Sequence, residues 1–80
     1  MPSTDDLRKA FRSALELPDG EIVDSLTYRS IEAWDSVAHM VLVSEIEDVF
    51  DVMLETQEVI DMSSFAKAVD LLDKHGVSLD

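Results

Sequence analysis

Apolar residues recur at Leu7, Ala10, Phe11, Ala14 and Leu15, the i, i+3, i+4, i+7, i+8 spacing of one helical face. Ser3 or Thr4 stands where a helix cap belongs, and Asp5 and Asp6 occupy the first turn, where the positive end of the dipole favours them. Pro18-Asp19-Gly20 is a turn signal that closes the segment. Over residues 18–35 the period is lost. Ile22, Val23, Leu26, Tyr28, Ile31 and Trp34 are scattered among polar residues, as in a loop pinned to a core by anchors. A connection of that length in a compact domain is unusual and tends to be functional. From Ser36 the helical pattern is strongest: steps of about 100° per residue gather His39, Leu42, Val43, Ile46, Val49, Phe50 and Met53 into one wide buried sector. Glu55-Thr56-Gln57 breaks this helix, and Thr56 to Asp61 predicts one short turn carrying Val59 and Ile60. Ser63 or Ser64 then caps a last helix with the stripe Phe65, Ala68, Val69, Leu72. Lys74 and His75 fall in its final turn and Gly76 at its C-cap. The expectation is an all-α fold: a four-helix bundle of three main helices plus one short helix, with a long first loop.

Composition narrows this picture. Eighty residues, 46% hydrophobic and 30% charged with only 2 Gly, fit one domain over residues 1–80 with a thin core. Eighteen acids against six bases leave a net charge of −12. That charge repels phosphate backbones and anionic lipid, so no nucleic acid and no membrane is expected as a partner; basic protein surfaces are. With no Cys there is no disulfide, no thiolate metal site and no thiol nucleophile. No apolar stretch approaches ~18 residues, and Met1-Pro2-Ser3-Thr4-Asp5-Asp6 lacks a basic region followed by an apolar one. A cytoplasmic monomer is expected.

The chemistry concentrates at the start of the second helix. Ser36 follows Asp35 at the end of the long loop, and a serine at a helix start ordinarily caps the first free N–H groups. The same place suits a covalently attached phosphate, because backbone N–H groups point outward and the dipole stabilises the anion. Opposite the buried sector lie Val37, Met40 and Val41, followed by Ser44, Glu47, Asp48 and Asp51. Three apolar side chains on an outer face cost solvation unless a partner or the long loop covers them. Residues 30–66 hold nine acids and no Lys or Arg, so an apolar patch ringed by acid is expected to dock basic partners.

Trp34-Asp35-Ser36-Val37-Ala38-His39-Met40-Val41-Leu42-Val43, followed by Ile46-Glu47-Asp48-Val49-Phe50-Asp51, resembles the attachment region of acyl carrier proteins. The likeness extends over nearly the whole chain through its helix lengths, long first loop, short third helix and acidity. It implies that Ser36 carries a 4′-phosphopantetheine arm derived from coenzyme A, and that Asp35 assists a Mg²⁺-using phosphopantetheinyl transferase in installing it. It further implies a loading enzyme for acyl or aminoacyl groups, and an acyltransferase or synthase that uses the loaded carrier. Asp24-Ser25-Leu26 matches the family tripeptide more literally, but no helical stripe follows Ser25. Many fatty-acid members have Gly two residues before the Asp and acids two and five residues after the Ser. Here those places hold Ala33, Ala38 and Val41. With Trp34 directly before Asp35, the chain looks more like free-standing carriers of specialised pathways that load polyketide, glyceryl or aminoacyl units. The other reading of the same residues is an acidic helical adaptor docking a basic partner through Val37, Met40 and Val41, with Ser36 as a plain cap.

Other site classes find no support. There is no Gly-x-Ser-x-Gly elbow, no EF-hand spacing and no Gly-rich phosphate loop, so neither an enzyme nor a metal site is expected. His39 reads as a core histidine with its hydrogen bonds satisfied, and Trp34 as the loop's main anchor.

Overall fold

The first stripe is buried at every position: Leu7, Ala10, Phe11, Ala14 and Leu15 all enter the core. The computed structural model describes residues 3–79. Met1 and Pro2, the start of the segment read above as lacking a leader pattern, lie outside the described residues. The helix carrying the stripe, α1 (Thr4–Leu15), begins with a capping box. The Ser3 hydroxyl accepts from the Asp6 N–H at 3.1 Å, and the Asp6 carboxylate accepts from the Ser3 N–H at 3.1 Å. Three more helices follow: α2 (Ser36–Phe50), α3 (Thr56–Asp61) and α4 (Phe65–Lys74). Among the described residues no strand forms, only an isolated antiparallel bridge between Thr27 and Ser64. The fold is all-α. No described helix is long and apolar enough to cross a membrane.

Phe11 stands at the centre of the core. It meets Trp34 edge-on at 5.4 Å and Phe65 at 5.1 Å, so α1, the end of the first connection and α4 share one aromatic contact. Residues 16–35 join α1 to α2 without a helix and are tied down along their length. Val23 and Trp34 are fully buried. Arg8 grips Asp24 with two bonds of 2.8 and 2.9 Å, and Arg12 donates to the Glu21 carbonyl at 2.9 Å. On the far side the Tyr28 N–H donates to the Ser63 carbonyl at 2.7 Å, and the Phe65 N–H to the Leu26 carbonyl at 3.1 Å. Ile22 and Tyr28, expected as anchors, are exposed.

The helix ends differ from expectation. α1 stops at Leu15, ahead of the Pro-Asp-Gly turn, because Glu16 adopts a left-handed conformation (φ 55°) and its N–H closes back on the last turn. α2 stops at Phe50, where Asp51 does the same (φ 53°). The buried arc of α2 therefore narrows to Leu42, Val43, Ile46 and Phe50. Val49 lies about 20° outside that arc and is 49% exposed. Met53 lies beyond the helix and is 83% exposed, so neither is core. Leu54 and Met62 take that place from the segments flanking α3. At α4 the cap is Ser64, whose hydroxyl accepts from the Lys67 N–H at 3.0 Å. Gly76, at φ 81°, takes the left-handed turn that lets the Val77 N–H reach back to the Leu72 carbonyl at 2.9 Å.

Candidate functional site

The residue that caps α2 is Asp35. Its Oδ1 accepts from the Ala38 N–H at 2.9 Å, and its backbone is extended. Ser36 is the first helical residue; its hydroxyl is exposed and holds no hydrogen bond in the structure. This corrects the expectation that Ser36 itself caps the helix: the carboxylate one position earlier does that work. The N–H groups of Ser36 and Val37 have no intrahelical acceptor, as for any first turn, and they surround the hydroxyl with positive dipole.

A relay of three elements holds this helix start in place. Trp34 Nε1 donates to His39 Nδ1 at 3.0 Å, and His39 Nε2 stands 2.8 Å from the Val59 carbonyl of α3. Indole N–H is only a donor, so Nδ1 must accept and Nε2 must carry the proton. The imidazole is thus a neutral, doubly satisfied bridge, partly buried, with its ring stacked on Trp34 at 6.0 Å. Locked between Phe11 and His39, Trp34 fixes where the loop ends, and hence where Asp35 and Ser36 begin the helix.

A groove of ≈ 350 Å³ opens beside Ser36, between the start of α2, the loop at Tyr28, and α3. Its walls are almost wholly apolar, from Met40, Val59, Ile60 and Met62, with Tyr28 and His39 at one side. The periodicity of α2 marked Met40 as outward but held no signal for Tyr28, Ile60 or Met62, which reach the groove only through chain folding.

The outer face is split. Val37, Met40 and Val41 are 73%, 59% and 45% exposed, as expected of a docking patch. Met40 lines the α3 groove and Val37 and Val41 a second furrow against the end of α1, while Met40 and Val41 together line a third hollow with Ser44, Glu45 and Asp48. Asp48 and Asp51 are exposed. Glu47 is not the outward rim charge expected of it: its Oε2 accepts from the Leu54 N–H at 2.9 Å, so it stitches the α2–α3 connection. Asp24 of the competing Asp-Ser pair is held by Arg8, whose hydrogen bonds push its carboxyl below the ordinary value. Ser25 sits in a turn closed by the Leu26 N–H on the Val23 carbonyl at 3.0 Å, with no helix behind it.

At the far end of α3 the Glu58 carboxyl is also pushed down, first by the Glu55 N–H and then by His75, whose Nε2 lies 2.9 Å away. Among the described residues no group of three or more His, Asp or Glu side chains is placed to hold a metal ion. No protein-family model, curated protein or solved structure matches this chain.

Proposed function

We propose that this chain is a cytoplasmic acyl or aminoacyl carrier of a specialised biosynthetic route, a four-helix bundle whose Ser36 accepts 4′-phosphopantetheine from coenzyme A. One observation carries the reading: Asp35 caps α2, leaving the Ser36 hydroxyl exposed and without intramolecular work. The site residues fit the group. The Ser36 hydroxyl stands clear for reaction, the N–H groups of Ser36 and Val37 offer an anion site, and the apolar groove adjoins it.

In the transfer, Ser36 Oγ attacks the phosphorus of coenzyme A that bears pantetheine. An O–P bond would form, the bond to 3′,5′-ADP would break with 3′,5′-ADP as the leaving group, and the hydroxyl proton would pass to a base of the transferase. Asp35 spends Oδ1 on the cap, and Oδ2, which holds no hydrogen bond, remains for the transferase's Mg²⁺. When bound, the group supplies a terminal thiol that holds cargo as a thioester near each partner at high effective concentration. Val37, Met40 and Val41 form the apolar part of the docking face, and Asp48 and Asp51 steer basic partners toward it. The partners are the transferase, a loading enzyme, and an acyltransferase or synthase.

The experiment is intact-mass measurement after incubation with coenzyme A and a promiscuous transferase. The wild type and Ser25→Ala should each gain one phosphopantetheine, and Ser36→Ala none. An unmodified wild type, or a modified Ser36→Ala, overturns the reading.

A further inference from the structure

Both histidines of the chain, His39 and His75, end on α3, and at neighbouring residues. His39 Nε2 reaches the Val59 carbonyl at 2.8 Å, and His75 Nε2 lies 2.9 Å from each oxygen of the Glu58 carboxylate. α3 has few other holds of its own. None of its six residues is buried, and only Glu58 and Val59 are half-buried; the core anchors Leu54 and Met62 flank it. The middle of α3 therefore rests on two imidazoles. Its place matters, because Val59 and Ile60 form one wall of the groove beside Ser36.

The two contacts answer a proton in opposite ways. His39 is held through an acceptor at Nδ1 and a donor at Nε2. A proton added at Nδ1 makes it a donor that faces the Trp34 Nε1–H, a group that can only donate, across 3.0 Å. One bond is lost and two donors are opposed in a partly buried place, so the ring must move. The titratable groups around it offer no counter-charge. Tyr28 flanks the ring from the loop at 5.3 Å, Asp35 on its own helix spends Oδ1 on the Ala38 N–H, and Glu58 of α3 turns to His75. Among the described residues no carboxylate lies within 4 Å of the His39 ring.

His75 meets an anion instead. The Glu55 N–H, and then His75, hold the Glu58 carboxyl below its ordinary value, so it stays ionised wherever imidazoles titrate. An ionised carboxylate only accepts, so His75 Nε2 already carries the donated proton. A second proton, at Nδ1, leaves that bond in place and makes it charge-assisted. It also puts a cation at the C-terminal end of α4, where the dipole favours one. Asp73 and Lys74, one of each sign, precede His75 on that helix.

We propose that the two histidines form a proton-operated latch on α3. Neutral His39 closes α3 against α2 and narrows the groove beside Ser36. Protonation frees Val59 and widens the groove, while His75 keeps α3 attached through Glu58. The latch needs no group on Ser36.

The test follows the wild-type protein by NMR from about pH 7.5 to about pH 5.5, the range in which a free imidazole takes up its proton. Trp34 is the only Trp, so its indole N–H gives one assignable signal. Its protection from solvent exchange, corrected for the intrinsic effect of pH, should fall by about tenfold, as for the loss of one partly buried hydrogen bond. The Val59 and Ile60 amide signals should shift over the same range, and the uncharged apolar dye Nile red should bind more tightly at the acid end. In His39→Gln the side-chain oxygen accepts from Trp34 and the amide N–H donates to Val59, yet no proton is taken up. Its indole protection should stay within about twofold across the range, and its dye binding should not change. His75→Gln should keep the indole response but lose protection of the Met62 N–H, which closes α3 on the Glu58 carbonyl, further than the wild type does at the acid end. An indole equally protected at both ends of the range, a response that persists in His39→Gln, or a His75→Gln indistinguishable from the wild type would overturn the proposal. Should His39→Gln fail to fold, the wild-type indole titration decides by itself. Failure of the wild type to accept phosphopantetheine would remove the carrier reading and leave this result standing.

Discussion

Asp35 and Ser36 are adjacent and both polar, yet their removal should have opposite consequences. Asp35→Ala deletes the 2.9 Å bond from the Ala38 N–H. Loss of such a cap costs about 1 kcal/mol, and loss of an anion at the positive end of the helix adds about 0.5 kcal/mol. Together these predict a melting temperature lower by about 6–12 °C for a domain of this size. Ser36→Ala deletes a hydroxyl that bonds to nothing, and alanine is the better helix former by about 0.5 kcal/mol, so stability should hold or rise slightly. Asp35→Ser keeps a capping oxygen and so should retain most of the stability, while losing the carboxylate proposed to hold Mg²⁺. Urea unfolding followed by circular dichroism gives the stabilities, and intact mass after transferase treatment gives the modification. The expected pattern is three separate phenotypes: Ser36→Ala stable and unmodified, Asp35→Ala unstable, Asp35→Ser stable but slow to be modified. If Ser36→Ala were as destabilising as Asp35→Ala, the hydroxyl would be capping the helix after all. The observation that carries the proposed function would then be gone.

Trp34→Phe should cost about 2–4 kcal/mol, because it leaves a void in the core and His39 Nδ1 without its donor; thermal unfolding checks this, and a loss under ~1 kcal/mol would show that the relay does not hold the helix start. The Arg8–Asp24 pair is about half exposed on the Asp side, so a double-mutant cycle at pH 7 should return less than ~1 kcal/mol. Arg8 lowers the folded-state value of Asp24 below 3.8, so this coupling is complete above the unfolded value and should vanish as pH falls through the folded one; a cycle repeated near pH 3 that returns the same coupling refutes it. With a net charge of −12 on a thin core, melting temperature should rise with NaCl or millimolar Mg²⁺, and indifference to ionic strength would mean that self-repulsion does not limit stability.

Helical periodicity is a local property, and the parts of the structure that depend on it were readable from the chain alone. The stripe from Leu7 to Leu15, the short α3 over Thr56–Asp61, a serine cap on α4 at Ser63 or Ser64, which the structure places at Ser64, and the turn at Gly76 all follow from spacing and from residues whose preferences act within one turn. So did the exposure of Val37, Met40 and Val41, since residues opposite a buried arc have nowhere else to point. Helix ends were less legible. Glu16 and Asp51 turn left-handed although neither is a residue that prefers it, so α2 stops before Met53 could join the core. The allocation of work between Asp35 and Ser36 depended on backbone angles, because either residue type caps well. Contacts between distant segments had no sequence signal at all. Trp34 to His39 to Val59, Glu47 onto Leu54, and the groove that Met40 lines with Tyr28 and Ile60 each join elements whose spacing in the chain carries no period. Sequence therefore determined which faces turn inward, through rules that act over three or four residues. Packing alone decided which side chains meet across elements, since that depends on how whole helices and the long connection over residues 16–35 settle against one another, at about the cost of loop closure and not of local preference.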